Sequence, residues 1–191
     1  DREILSLEEI SEIFDLSEIN KAGAKFSWEK LNWINSQYIK NMESIKLIEI
    51  MRKYWDDNGW EPPSQEWANK LAILIRDSMT LLKDSIDQSK PFFLIPTIQK
   101  EGQDFLENRE SKLSLKLILN YLIEQNTIKL NKEKAKEIIN EISKKHNIKK
   151  GILMKSLRVA FFGSLSGPDL IQSWELFAES KTDRTRIERC L

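Results

Sequence analysis

Cysteine and histidine each occur once in this 191-residue chain, as Cys190 and His146. One of each cannot assemble a zinc quartet, a Ser-His-Asp triad or a Cys-His pair within one polypeptide, so no catalytic residue and no metal ligand is assigned. A lone cysteine has no internal disulfide partner, which makes a reducing compartment the simpler expectation. Glycine is scarce: six residues stand singly, with neither G-x-x-x-x-G-K-[ST] nor G-x-G-x-x-G among them, leaving little material for a phosphate cradle. No apolar run approaches the ~20 residues of a membrane span, and the acidic opening lacks the basic and apolar regions of a signal peptide. A cytoplasmic chain free of membrane contact is therefore expected, and a monomer is the expected oligomeric state.

Charge of one sign is also missing overall, with 30 Lys and Arg against 30 Asp and Glu. Its distribution is uneven. The first twenty residues carry seven acids against Arg2, whereas Lys129 to Arg158 contain ten basic residues and only Glu133, Glu137 and Glu141. A polyanion would meet the C-terminal half. With 40% apolar and 31% charged residues, six glycines and five prolines, the composition fits a helix-rich globular chain and argues against disorder, collagen-like repeats and β-sandwiches.

The order of elements follows from caps and periodicity. Ser6-Leu7-Glu8-Glu9 is a capping box opening a short helix to Phe14. Ala22 to Phe26 reads as a turn, after which Ser27 caps a helix carrying Trp28, Leu31, Ile34 and Tyr38; a further helix fits Met42 to Trp55, with Ile45, Ile48 and Met51 on one stripe. Pro62 and Pro63 break the chain, and Ser64 restarts it along a stripe of Trp67, Leu71, Leu74, Leu82 and Ile86 to about Ser89. The apolar segment Pro91 to Pro96 interrupts again and is the expected hinge between a first helical bundle, residues 1–90, and a second, 97–191. Beyond it, Leu113, Leu117 and Tyr121 mark a long helix, and Ala135, Ile138, Ile139 and Ile142 a second. Leu153, Leu157 and Phe161 mark a third, stopped near Gly163, and Leu170, Trp174 and Phe177 a fourth. Asp183 to Leu191 is expected to dock through Ile187 and Leu191. No period-2 run requires a sheet, so the fold class is all-α, in two consecutive bundles.

Lys149, Lys150, Lys155 and Arg158 gather where a loop enters a helix, and suit phosphate contact by ammonium groups and base-edge contact by a guanidinium. Lysine-rich helix faces are commonly just solvated. Of the six tryptophans, Trp28, Trp67 and Trp174 lie on apolar stripes and read as packing residues, whereas Trp33, Trp55 and Trp60 stay undecided. Residue chemistry alone leaves three classes open: a nucleic-acid binder, a helical protein-interaction module, or a small enzyme limited to carboxylate chemistry.

Two stretches go further. Ala22-Gly23-Ala24-Lys25-Phe26-Ser27-Trp28-Glu29-Lys30-Leu31-Asn32-Trp33-Ile34-Asn35-Ser36-Gln37-Tyr38-Ile39 resembles the A-x-F-D-x-x-K-L-x-W-x-N-x-x-Y-I segment of bacterial-type glutamyl-tRNA synthetases, with Ser27 for the usual aspartate. Lys150-Gly151, followed by Leu157-Arg158-Val159-Ala160-Phe161-Phe162-Gly163-Ser164-Leu165-Ser166-Gly167-Pro168-Asp169-Leu170, is similar to that family's K-G-x-x-x-x-P-L-R-x-A-x-T-G-x-x-x-G-P-x-L, with Ser156 and Phe162 for its proline and threonine. The resemblance covers essentially the whole chain as the C-terminal anticodon-binding part, an α-helical cage. It implies tRNA-Glu as partner, and an ATP- and Mg-dependent catalytic domain with HIGH- and KMSKS-type motifs that this sequence does not contain. No cofactor is expected here, and no aminoacylation by this chain alone. Carried over by position, Arg158, Gly167, Pro168 and Leu170 are the anticodon contacts; Lys149, Lys150 and Lys155 are the phosphate contacts expected from their charge and place at the helix entry. Ser78 falls where family members restricted to tRNA-Glu carry an arginine aimed at the third anticodon base. Arg76, about 200° away on a helix, would not replace it. A short hydroxyl makes no bidentate contact, which implies a non-discriminating enzyme that also accepts tRNA-Gln.

Overall fold

The structure is a computed structural model that describes residues 3–18, 23, 25–125 and 129–191. Among these it contains eleven α-helices, one 3-10 turn (Leu16–Glu18) and no strand. The helices are α1 Leu7–Ile13, α2 Trp28–Asn41, α3 Ser44–Asp57, α4 Gln65–Arg76, α5 Asp84–Phe93 and α6 Lys100–Leu106, then α7 Arg109–Glu124, α8 Lys132–His146, α9 Lys150–Phe162, α10 Leu170–Glu179 and α11 Asp183–Glu188. None is long and apolar enough to cross a membrane. Most of the turn expected over Ala22 to Phe26 lies outside the described residues.

Local chemistry sets the helix starts. The Ser6 hydroxyl accepts from the Glu9 N–H at 3.1 Å while the Glu9 carboxylate accepts from the Ser6 N–H at 2.8 Å, a closed capping box. Ser27 caps α2, Ser64 caps α4 and Asn131 caps α8 in the same one-sided way.

The stripe from Trp67 to Ile86 is not one helix. α4 stops at Arg76 because side chains take over the backbone groups that would continue it. Ser78 Oγ donates to the Ile75 carbonyl at 2.7 Å, and the Asp84 carboxylate accepts from the Thr80 and Leu81 N–H groups at 2.9 and 2.7 Å. Pro91 lies inside α5, where it removes one donor near the helix end, and Phe92 and Phe93 close the last turn. Phe92 stacks on Phe177 at 5.0 Å, and Phe93 meets Trp55, Trp60 and Trp67 at 5.2–5.4 Å. The buried apolar residues form one connected core running from Ile39 to Cys190. α4 and α10 are joined by Trp67 Nε1 donating to the Leu176 carbonyl at 2.9 Å, and by Lys70 bridging Glu66, Glu175 and Glu179.

Packing chooses faces that periodicity left ambiguous. α7 has apolar residues on both sides of an exposed polar stripe of Lys112, Lys116, Asn120 and Glu124; it buries Leu115, Ile118, Leu119 and Leu122, with Ser111 and Ser114 between them, and leaves Leu113 exposed. On α3 the buried stripe is Leu47, Ile48, Met51 and Trp55, and Ile45 faces outward. Trp67 and Trp174 are core residues as expected, and Trp55 and Trp60 join them, but Trp28 is 70% exposed. The last helix docks through Ile187 and the fully buried Arg186, while Leu191 is 49% exposed. Arg186 is tolerated there because its donors reach the carbonyls of Phe161 (3.0 Å) and Leu94 (3.2 Å) and the Thr182 hydroxyl, and its plane lies 4.2 Å from the centre of the Phe177 ring.

Candidate nucleic-acid interface

The α8–α9 corner is pinned from inside. Asn147 adopts the left-handed conformation that ends α8, Ser143 Oγ donates to the Ile148 carbonyl at 2.7 Å, and Ile148 is buried. That arrangement turns Lys144, Lys145, His146, Lys149 and Lys150 outward, and all five are exposed. α9 then starts without a side-chain cap and without an acid in its first turn. Its first N–H groups and positive helix end stand open beside two ammonium groups, an arrangement that favours an anion.

Along α9, Gly151, Lys155 and Arg158 fall at i, i+4 and i+7 and share a face, with Phe162 one further turn on. Leu153, Leu157 and Phe161 occupy the opposite, buried side. The open face runs from Lys150 to Arg158, about 12 Å, and ends at the buried Phe162. Lys149, Lys150 and Lys155 are exposed and form no ion pair among the described residues.

At the far end, Gly163 ends α9 at φ 71°, and a Cβ there would lie 2.2 Å from the Thr97 carbonyl oxygen. Gln99 N–H donates to the Gly163 carbonyl at 2.8 Å, so this glycine is where the segment after α5 meets α9. Gly167 lies against the Phe162 ring, whose nearest carbon would be 2.8 Å from a Cβ at that position. Arg158 Nη1 donates to the Gly167 and Pro168 carbonyls at 3.0 and 2.9 Å, which ties the turn to α9 and leaves Nε and Nη2 without a partner among the described residues. Asp169 caps α10 by accepting from the Gln172 N–H at 2.9 Å.

Arg158, Gly167 and Pro168 are thus brought together, with Lys155 one turn away on the same helix and Lys149 and Lys150 at its start. Leu170 is not available as an apolar platform: its side chain is 1% exposed and belongs to the core. A leucine at the first position of an amphipathic helix is drawn inward with Trp174 and Phe177. Ser78 lies on the α4–α5 connection rather than on a helix, and no hydrogen bond links it to the α9–α10 turn among the described residues. Arg76 is turned away, donating to Ser44 Oγ at 2.6 Å.

Two contributors were not legible beforehand. Phe162 wedges the Gly167 turn, although in sequence it registers only as a substitution. Arg189 donates to the Ala160 and Pro96 carbonyls and, with Arg186, fastens the C-terminal end of α9 to the segment after α5; the alternation of Arg and Glu gave no sign of it.

The family model described as "Anticodon binding domain" matches residues 46–191. Glutamate–tRNA ligases of Prochlorococcus marinus are similar over the whole chain, at 97% identity in strain AS9601 and 46% in strain NATL2A, and the chain spans about 40% of the length of each. Crystal structures of glutamate–tRNA ligases from Elizabethkingia meningosepticum (TM-score 0.90, 27% identity) and Elizabethkingia anophelis (TM-score 0.85, 28% identity) superpose on 99% of this chain and on 37% and 36% of their own chains. An all-helical bundle whose α9 carries an open basic face, and whose residues 46–191 match that family model, belongs to the anticodon-binding-domain family.

Proposed function

We propose that this chain is the C-terminal, anticodon-reading part of a cytoplasmic glutamyl-tRNA synthetase, with a first subdomain at 1–90 and a second at 97–191 meeting at 91–96. Its partners are tRNA-Glu and tRNA-Gln. The parent enzyme joins glutamate to tRNA with ATP and Mg²⁺ in a part of the polypeptide that this chain does not span, and the chain alone is catalytically inactive. The observation that carries the RNA reading is the disposition of Arg158: one nitrogen holds the Gly167–Pro168 turn while the remaining donors stay open, about two helical turns along α9 from its uncapped start and the lysines there. In that geometry the lysines supply sequence-independent affinity and the guanidinium and turn supply preference among unstacked bases.

Acceptance of both tRNAs rests on Ser78. Its hydroxyl proton is committed to the Ile75 carbonyl, leaving only lone pairs to accept from a base. Cytosine and guanine both present amino donors, so a lone acceptor separates them weakly.

Fluorescence titration with glutamate-type and glutamine-type anticodon stem-loops and an unrelated loop, across a salt series, tests both statements. Comparable binding of the first two and weak binding of the third is expected. Strong preference for the glutamate loop would overturn non-discrimination alone, and equal binding of all three would overturn anticodon reading in favour of a protein-interaction module.

A further inference from the structure

Among the described residues, α4 is joined to α10 by polar groups from two side chains. Trp67 Nε1 donates to the Leu176 carbonyl, and further along α4 the Lys70 ammonium is shared by Glu66 and Glu175, each at 3.2 Å, and by Glu179. Ile73 lines the same cleft as Gln172, so the two helices run antiparallel. The chain leaving α4 through Ser78 and the Gly167–Pro168 turn entering α10 therefore lie at one end of the pair. Trp67 and Phe92 hold α10 at the adjacent residues Leu176 and Phe177, which makes a pivot, and Lys70 fixes the angle about it by reaching Glu175 and Glu179 on either side. Those two carboxylates are one turn apart, with side chains only 15% and 22% exposed, and Glu66 adds a third from α4. Without an ammonium between them, like charges would face one another across the seam, where water screens them less than at the open surface.

We propose that Lys70 is a positioning residue for anticodon reading: by bridging α4 and α10 it holds Arg158 and the Gly167–Pro168 turn in register with Ser78, so that both sides meet a single anticodon loop. The inference rests on the anticodon-reading proposal above and deepens it. Arg158 is tied to the turn through its two carbonyls, and Asp169, directly after the turn, caps α10, so that helix, turn and guanidinium move together. A tilt of α10 about Leu176 and Phe177 is therefore a displacement of these reading groups relative to Ser78. Lys149, Lys150 and Lys155 belong to α9 and its entry, and their hold on phosphates needs no register with α4. The seam thus governs preference among loops and leaves general affinity alone.

Titration of glutamate-type, glutamine-type and unrelated loops against the 191-residue chain and its variants decides it, with urea midpoints to establish folding. Lys70→Met should lower the preference for the glutamate-type loop over the unrelated one about tenfold, while binding of the unrelated loop and its salt slope stay unchanged. Lys70→Arg should restore most of that preference, because a guanidinium fork reaches both carboxylates of α10. Lys70→Met combined with Arg158→Ala should lose less preference than the sum of the two single losses, since a residue that works through Arg158 then has less to position. Should Lys70→Met not fold, Glu175→Gln with Glu179→Gln opens the same seam without facing charges and carries the same expectation. Equal binding of all three loops by the parent chain would overturn the anticodon reading and this inference with it. Preference kept in Lys70→Met, three loops weakened alike, no rescue by arginine, or additive losses would overturn this inference alone.

Discussion

Arg158 on α9 donates from one guanidinium nitrogen to two consecutive carbonyls, those of Gly167 and Pro168, at 3.0 and 2.9 Å. The same side chain therefore builds the turn and faces the solvent beside it. Arg158→Ala should remove loop preference by roughly 1–3 kcal/mol while lowering affinity for an unrelated loop much less. Arg158→Lys should restore affinity but not preference, because an ammonium lacks the planar fork. A three-loop titration of both variants checks this, and rescue of preference by lysine would refute the role.

Lys149 precedes the uncapped start of α9 and is exposed. Lys149→Ala should weaken all loops alike and reduce the slope of log K against log salt by about one. Loss confined to one loop would place it on a base instead.

Three glycines should answer differently to alanine. At Gly163 a Cβ meets the Thr97 carbonyl at 2.2 Å in a left-handed backbone, and at Gly167 it meets the Phe162 ring at 2.8 Å. Alanine should cost more at the first, roughly 2–4 kcal/mol, than at the second, roughly 1–3 kcal/mol, because a ring can shift and a packed backbone cannot. Gly151, inside α9 with nothing within 4 Å of its Cβ, should gain about 0.5–1 kcal/mol. Urea midpoints of the three variants give the order directly.

Asp183 opens α11 and is buried, which raises its carboxyl above the ordinary value of 3.8. Between the ordinary and the raised value the folded chain binds more protons than the unfolded one. This contribution to stability is complete below about pH 4 and is lost as pH rises through the raised value. Asp183→Asn removes it, so the stability of the variant relative to the parent should improve from acid towards neutral pH. Thermal unfolding of both proteins at steps between pH 3.5 and 7 measures the difference, and a constant gap would refute it.

Caps and stripes in the amino-acid order were enough to place the helix starts at Ser6, Ser27 and Ser64, the buried faces of α8 and α10, and the stop at Gly163, since each depends on neighbours within a turn or two. The basic cluster of α9 was legible for the same reason: Lys149, Lys150, Lys155 and Arg158 gather in the order of residues where a loop enters a helix. Elsewhere distant groups decided. α4 ends at Arg76 because Asp84 and Ser78 capture nearby backbone groups, and α7, with apolar residues on both sides of its Lys112–Lys116–Asn120–Glu124 stripe, turned the Leu115 rather than the Leu113 stripe inward against α9. Leu170 and Trp28 changed places relative to expectation: a leucine read as a contact surface is core, and a tryptophan read as core is open. A stripe records only that a helix must bury a face, and which surface covers it is fixed by what packs there, which for α1 and α2 is nothing among the described residues of this chain.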